Sequence, residues 1–129
     1  MSLTVLIVDD SPAMRWFLRR VLMLCDIPTS CIREAADGLE AFQLLRQQAA
    51  DLIIAGINMP NMNGEQFLRR IAADEQLRRV PVIILSADAS EARTRQMLSL
   101  GAHRCLSKPI SPEAFRQELE EFLDAQNPC

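Results

Sequence analysis

Two adjacent carboxylates, Asp9 and Asp10, follow the apolar run Leu3 to Val8 and precede Ser11-Pro12. Much later, Ser86 ends "VPVIILS", and Lys108 follows "HRCLS" in the turn "SKPI". Paired acids are oxygen ligands suited to a hard cation such as Mg²⁺, while an ammonium and a hydroxyl suit a phosphoryl group. Lys108 is conspicuous because every other one of the fourteen basic residues is arginine. A compact ammonium fits where a guanidinium fork does not. Each signal is weak alone, and Asp-Asp-Ser-Pro also reads simply as a helix start. Their weight depends on whether the fold brings them together.

The stretch "DLIIAGINMPNMNG" (51–64) adds a question. A buried-type apolar run, Leu52 to Ala55, reaches Gly56 and then a loop rich in Asn, Met and Pro. A glycine at a strand-to-loop corner frees the backbone to turn. The surrounding chemistry points to something else missing at position 56.

Strand and helix signals alternate around these residues. Leu3 to Val8 reads as a strand, and Ser11-Pro12 as an N-cap followed by a first-turn proline, opening a helix to about Cys25. Ser30 to Ala35 is a weaker strand. A helix begins at Asp37-Gly38, with Leu39, Phe42 and Leu45 on one face. Leu52 to Ala55 is the third strand, and a third helix starts near Gly64 with Phe67, Leu68 and Ile71 inward. Val80 to Ser86 is the clearest strand. A fourth helix, about Ser90 to Leu100, ends at Gly101. His103 to Ser107 is a short fifth strand. Ser111-Pro112 opens a last helix with Phe115, Leu119, Phe122 and Leu123 at i, i+4, i+7 and i+8. Five strands alternating with five helices predict an α/β domain whose parallel sheet is covered on both faces. In such sheets ligands bind beyond the carboxyl ends of the strands. That rim would collect Asp9, Asp10, Gly56, Ser86 and Lys108.

The bulk properties are those of one ordinary domain spanning 1–129. The chain is 49% hydrophobic and 24% charged, with a net charge of −3. The net charge makes direct nucleic-acid binding unexpected. Neither a membrane span nor a signal peptide fits, so the expected compartment is the cytoplasm. Cys25, Cys31, Cys105 and Cys129 lack CxxC spacing and there is a single histidine, His103, so free thiols are expected rather than a zinc site. Whether Cys25 and Cys31 approach each other is left open. No tail beyond the fifth helix is long enough for an output domain, so the chain is expected to stand alone or to be a fragment.

In order and spacing, "VLIVDDSP", "DLIIAGINMPNMNGEQFL", "VPVIILSA" and "GAHRCLSKPI" resemble a response-regulator receiver domain, the CheY-like module of two-component signalling. The likeness covers essentially the whole chain. It implies a flavodoxin-like sandwich with strand order 2-1-3-4-5 and a phosphorylation switch. By this resemblance, Asp9, Asp10 and the Asn58 carbonyl would bind Mg²⁺, and Ser86 and Lys108 would hold a phosphoryl group. Lys108-Pro109 would be cis. The phosphoacceptor at the end of the third strand falls on Gly56, and the aromatic switch residue of the fifth strand falls on Cys105. Glycine has no side chain to be phosphorylated.

These two departures predict a non-enzymatic pseudo-receiver, natural rather than engineered, binding Mg²⁺ weakly at most. It would act on a sensor histidine kinase or another signalling protein through the face of helix 4, strand 5 and helix 5, around Arg93, His103 and Arg104. A homodimer is left open. Two other readings compete: a phosphorelay component with a substitute acceptor, Asp10 or Ser86, and, ranked last, a small Mg²⁺-dependent phosphatase. With the third carboxylate gone, Lys108 and the two aspartates are expected to neutralise one another in a charge cluster. "RWFLRR" (15–20) reads as a solvated helix face with Trp16 partly buried, the alternative being a docking surface.

Overall fold

The computed structural model describes residues 3–88 and 90–126, with side chains given through Phe122. Five strands and five α-helices alternate: β1 (Val5–Val8), α1 (Pro12–Leu24), β2 (Ile32–Ala35), α2 (Gly38–Gln47), β3 (Leu52–Gly56), α3 (Gly64–Ala73), β4 (Val82–Ser86), α4 (Glu91–Ser99), β5 (Arg104–Ser107) and α5 (Pro112–Gln126). The strands form one sheet in the order β2-β1-β3-β4-β5, and every pairing is parallel. Both the class and the strand order agree with the sequence reading.

The period-2 alternation of the strands divides the core in two. Leu6, Val8, Ile53, Ala55, Val82 and Ile84 pack with Phe42, Phe67, Leu68, Ile71 and Met97 of α2, α3 and α4. Their neighbours Val5, Ile7, Leu52, Ile54, Ile83 and Leu85 pack with Leu18, Leu22, Phe115, Leu119 and Phe122 of α1 and α5. β1, β3 and β4 are buried along their whole length. That double coverage is why they read as continuous apolar runs in the sequence.

Helix ends follow local chemistry. Ser11, Asp37, Asn63 and Ser90 cap α1 to α4, each accepting a backbone N–H of the first turn. Asn63 and Gln66 form a reciprocal capping box at α3. At the end of α4, Gly101 (φ 112°) and Ala102 donate to the carbonyls of Leu98 and Met97, a Schellman closure that needs the left-handed backbone of glycine.

Several boundaries differ from expectation. Ser30 and Cys31 belong to a 3₁₀ turn, held by Cys31 N–H donating to the Pro28 carbonyl, so β2 begins at Ile32. Val80 closes a turn onto the Leu77 carbonyl, and β4 begins at Val82. Leu39 is exposed, because the buried stripe of α2 runs through Gly38, Ala41, Phe42 and Leu45. Cys25, Cys31 and Cys105 are free thiols. Cys129 and the side chain of Leu123 lie outside the described residues. Among the described residues no helix is long and apolar enough to cross a membrane.

Candidate functional site

A cavity of about 290 Å³ opens at the carboxyl rim of the sheet, lined by Asp9, Asp10, Asn58, Ser86 and Lys108 among others. The fold thus gathers the predicted rim residues from four separate segments. β1 delivers Asp9, whose N–H donates to the Ala35 carbonyl as the strand ends. β4 delivers Ser86, and the turn after β5 delivers Lys108, whose N–H donates to the Ser86 carbonyl at 2.7 Å. The Lys108-Pro109 peptide is cis, as the resemblance implies.

Asp9 is the electrostatic centre. It is 2% exposed, and both carboxylate oxygens are engaged. Oδ1 accepts from Ser11 N–H at 2.9 Å, and Oδ2 accepts from Lys108 Nζ at 3.0 Å. Lys108 keeps about a quarter of its side chain exposed, so the pair is anchored at a buried carboxylate and open at the ammonium. Asp10, by contrast, is exposed at the mouth. The expected cluster of one ammonium with two aspartates is therefore a single ion pair beside a free carboxylate. Consecutive residues leaving a strand point to opposite sides, which separates the two acids.

Gly56 ends β3 directly opposite this pair. A Cβ built on Gly56 would stand 2.9 Å from Asp9 Oδ2, 3.5 Å from Asp9 Cγ and 3.6 Å from Lys108 Nζ. The space beside the missing side chain is therefore taken by the Asp9 carboxylate, and Lys108 is satisfied by it. Gly64 is constrained by backbone instead. A Cβ there would meet the Gly56 carbonyl at 2.5 Å, and Gly64 N–H donates to the Ile57 carbonyl at 2.7 Å. The loop after β3 is thereby folded tightly back over the strand end. Asp37 ties the same loop to α2, accepting from Asn61 Nδ2 at 2.8 Å and from Glu40 N–H. These bonds, the Glu40 N–H first, hold its carboxyl below the usual range.

Ser86 is 4% exposed, and its hydroxyl is occupied locally: it donates to the Asp88 carbonyl and accepts from Asp88 N–H. Asn58 is exposed and lines the cavity. Cys105 lies apart from this cavity, packed against the core shared with α4. Burial pushes its thiol up, against a hydrogen bond from Thr94 that lowers it.

As a cation site the rim is poor. Hard divalent ions want several free oxygen ligands in a fixed shell. Asp9 is charge-paired with Lys108 and bonded to Ser11 N–H, so a cation there would compete with an ammonium for its one negative charge, and only the Asp10 carboxylate and the Asn58 carbonyl stand beside it. Among the described residues no three acidic, His or Cys side chains gather around one point. The residues present do not fit a tightly held Mg²⁺.

The sequence reading missed Arg15. Its Nη1 donates to the Asp9 carbonyl at 2.6 Å, while its Nε and that of Arg19 grip Glu34 of β2 at 3.1 and 2.8 Å. Spacing of i and i+4 on α1 is the signal that these two arginines share a face. The reading of Trp16 as partly buried is also corrected. It is 62% exposed, with the Arg20 guanidinium 5.3 Å over its ring, so a cation rather than the core covers it.

Comparison with known proteins places this geometry. The family model described as the response regulator receiver domain matches residues 5–120. The chemotaxis protein CheY-3 of Vibrio cholerae is 29% identical over 123 residues, covering 95% of this chain and 93% of that protein. Sensor protein EvgS of Escherichia coli is 34% identical over 121 residues, which cover 94% of this chain and 10% of EvgS. The solved structure of the chemotaxis response regulator CheY4 of Vibrio cholerae superposes with a TM-score of 0.85 at 29% identity, covering 94% of this chain and 98% of that one. With its parallel five-stranded sheet and acidic rim, this chain belongs to the response regulator receiver domain family.

Proposed function

We propose that this chain is a pseudo-receiver of two-component signalling: it accepts no phosphoryl group at position 56 and acts through phosphorylation-independent contact with a protein partner. One observation carries the reading. The Asp9 carboxylate fills the space facing Gly56 and holds Lys108, so the ammonium that would hold a phosphoryl group is neutralised from within. The module is a binding partner rather than an enzyme, it works in the cytoplasm, and Mg²⁺ binds it weakly at most.

Its partner face is that of α4, β5 and α5. Arg104 reaches Glu118 at 2.9 Å, Arg93 reaches Asp88 at 3.7 Å, and His103 packs edge-on to Phe122 with centroids 5.6 Å apart. Cys105 stands at the position of the aromatic switch, so this face lacks that switch. A sensor histidine kinase or another signalling protein is the partner class.

Incubation with acetyl phosphate and Mg²⁺, followed by peptide mapping, tests the proposal. No phosphoryl group is expected on any residue. The substitute-acceptor reading keeps Asp10 as its best candidate, because that carboxylate is exposed while the Ser86 hydroxyl is bonded to Asp88. Stoichiometric label on Asp10 would overturn the pseudo-receiver reading and establish that alternative.

A further inference from the structure

A second cavity, of about 400 Å³, lies between the last turns of α2 and α3, lined by Phe42, Leu45, Arg46, Arg70, Asp74 and Leu77 among others. It shares no residue with the rim that holds Asp9 and Lys108. Its volume is within the range of small-molecule sites. The floor is apolar: Phe42 and Leu45 are 6% and 7% exposed. The Arg70 guanidinium stands over the Phe42 ring at 4.9 Å, which fixes a flat cationic surface at the edge of the groove.

The charge of the groove is unspent. Among the described residues neither Arg46 nor Arg70 forms a salt bridge, a state they share with Arg20, Arg33, Arg78, Arg79 and Arg95; what sets these two apart is that both line one cavity. The neighbouring Arg69 takes up Glu65 of the first turn of α3 as an i, i+4 pair. Both arginines lie in the last turns of their helices, where a cation complements exposed carbonyls. That accounts for their sign, but not for their convergence with an aromatic floor in a chain of net charge −3. Asp74 is the opposing group. Its Oδ1 accepts from the N–H groups of Gln76 and Leu77, which folds the turn and leaves Oδ2 with no hydrogen bond among the described residues. A fully charged ion such as free phosphate therefore suits the groove less well than a ligand with one anionic end.

We infer that this groove binds a small amphipathic anion: a flat apolar body against Leu77 and the outer face of the Arg70 plane, with a carboxylate or phosphate held by Arg46 and Arg70. The inference is independent of whether position 56 accepts phosphate, and it gives the domain a ligand input away from the rim.

Two-dimensional NMR of the ¹⁵N-labelled chain tests it, with adenosine monophosphate and salicylate as the two anionic probes and adenosine and inorganic phosphate as controls. Additions run to about 5 mM, several times the roughly 1 mM dissociation constant of a small ligand on an open groove. At least one anionic probe should shift the amides of residues 42–46 and 70–77 saturably, and the responding probe distinguishes a phosphate from a carboxylate ligand. Each control should bind more weakly. Arg46→Gln and Arg70→Gln, both at exposed positions, should stay folded with melting temperatures within a few degrees of the parent and weaken binding about ten-fold or more, the loss of a charge-assisted hydrogen bond. Absence of saturable shifts with both probes, shifts centred elsewhere, or unchanged affinity in both variants would overturn the inference.

Discussion

Replacing Gly56 by aspartate is the most informative perturbation of the rim. Its Cβ would arrive 2.9 Å from Asp9 Oδ2, inside contact distance, and the atom in the way belongs to a 2%-exposed carboxylate bonded on both oxygens. Asp9 must turn, and Lys108, 3.6 Å from the new Cβ, becomes the shared counter-ion of two acids. Three terms set the result without metal. Loss of glycine's conformational freedom favours the variant by roughly 0.5–1 kcal/mol. Weakening the Asp9–Lys108 bond costs about 1.5–3 kcal/mol, part of which the new carboxylate recovers. Two carboxylates about 4 Å apart repel by about 4 kcal/mol at an effective dielectric of 20, before Lys108 screens them. With Lys108 shared between the two acids most of that repulsion is offset, which leaves a loss of about 1–3 kcal/mol, at roughly 3–5 °C of melting temperature per kcal/mol for a domain of this size. Added Mg²⁺ should reverse it, because three carboxylates, at positions 9, 10 and 56, then face the ion. At about 100 times its dissociation constant the ion returns about 2.7 kcal/mol. Acetyl phosphate with Mg²⁺ should then label residue 56. Calorimetric melts in chelator and in Mg²⁺ read both effects, with Gly56→Ala as the uncharged control that should ignore the metal. A variant as stable as the parent in chelator and indifferent to Mg²⁺ would refute the reasoning, since Asp9 would then not occupy the space facing position 56.

Other consequences follow from the same contacts. Lys108→Met leaves the buried Asp9 carboxylate without its cation and should cost about 3 kcal/mol in urea denaturation. Most of that loss should return in the Asp9→Asn/Lys108→Met double variant, and strictly additive losses would argue against the pair. Asp37 has a folded pKa below its unfolded value, so its contribution is present above the usual carboxylate range and fades as pH falls through the lower folded value. Asp37→Ala should therefore cost about 1–2 kcal/mol at pH 7 and flatten the acid limb of a stability–pH curve; an unchanged acid limb would count against the loop tie to Asn61. Burial holds the Cys105 thiol up, so alkylation by iodoacetamide in the native state should be slow at pH 8 and should accelerate only at higher pH. Fast modification of Cys105 at neutral pH, located by peptide mapping, would contradict that burial.

Much of this arrangement was legible in the sequence because a parallel sheet does the placing. Asp9, Gly56, Ser86 and Lys108 each stand at or just beyond a strand's carboxyl end, and the strands of the first three read as unbroken apolar runs. Knowing the rim was enough to collect them. What stayed hidden depends on side-chain direction. Which of Asp9 and Asp10 faces inward turns on one residue of strand register. The Ser86 hydroxyl was read as a phosphoryl ligand, but a two-residue local bond to Asp88 engages it. Leu39 and Leu45 differ by less than two helical turns, yet only the second lies on the buried stripe. Arg15 was read as part of a solvated face because the i, i+4 spacing in "RWFLRR" shows that Arg15 and Arg19 share a face but not that their guanidinium groups reach the Asp9 and Ile32 carbonyls. The Asp37–Asn61 tie joins residues twenty-four apart and has no periodicity to betray it.

The central claim, that Asp9 has taken over Lys108 in place of an acceptor at position 56, has a direct reporter in the only lysine of the chain. Its side-chain ammonium gives a single lysine signal in ¹⁵N-resolved NMR, without assignment ambiguity. That signal should move strongly on Asp9→Asn and should stay in place when Mg²⁺ and acetyl phosphate are added to the parent protein. A Lys108 signal indifferent to Asp9→Asn, or one that shifts when the parent receives Mg²⁺ and acetyl phosphate, would contradict it.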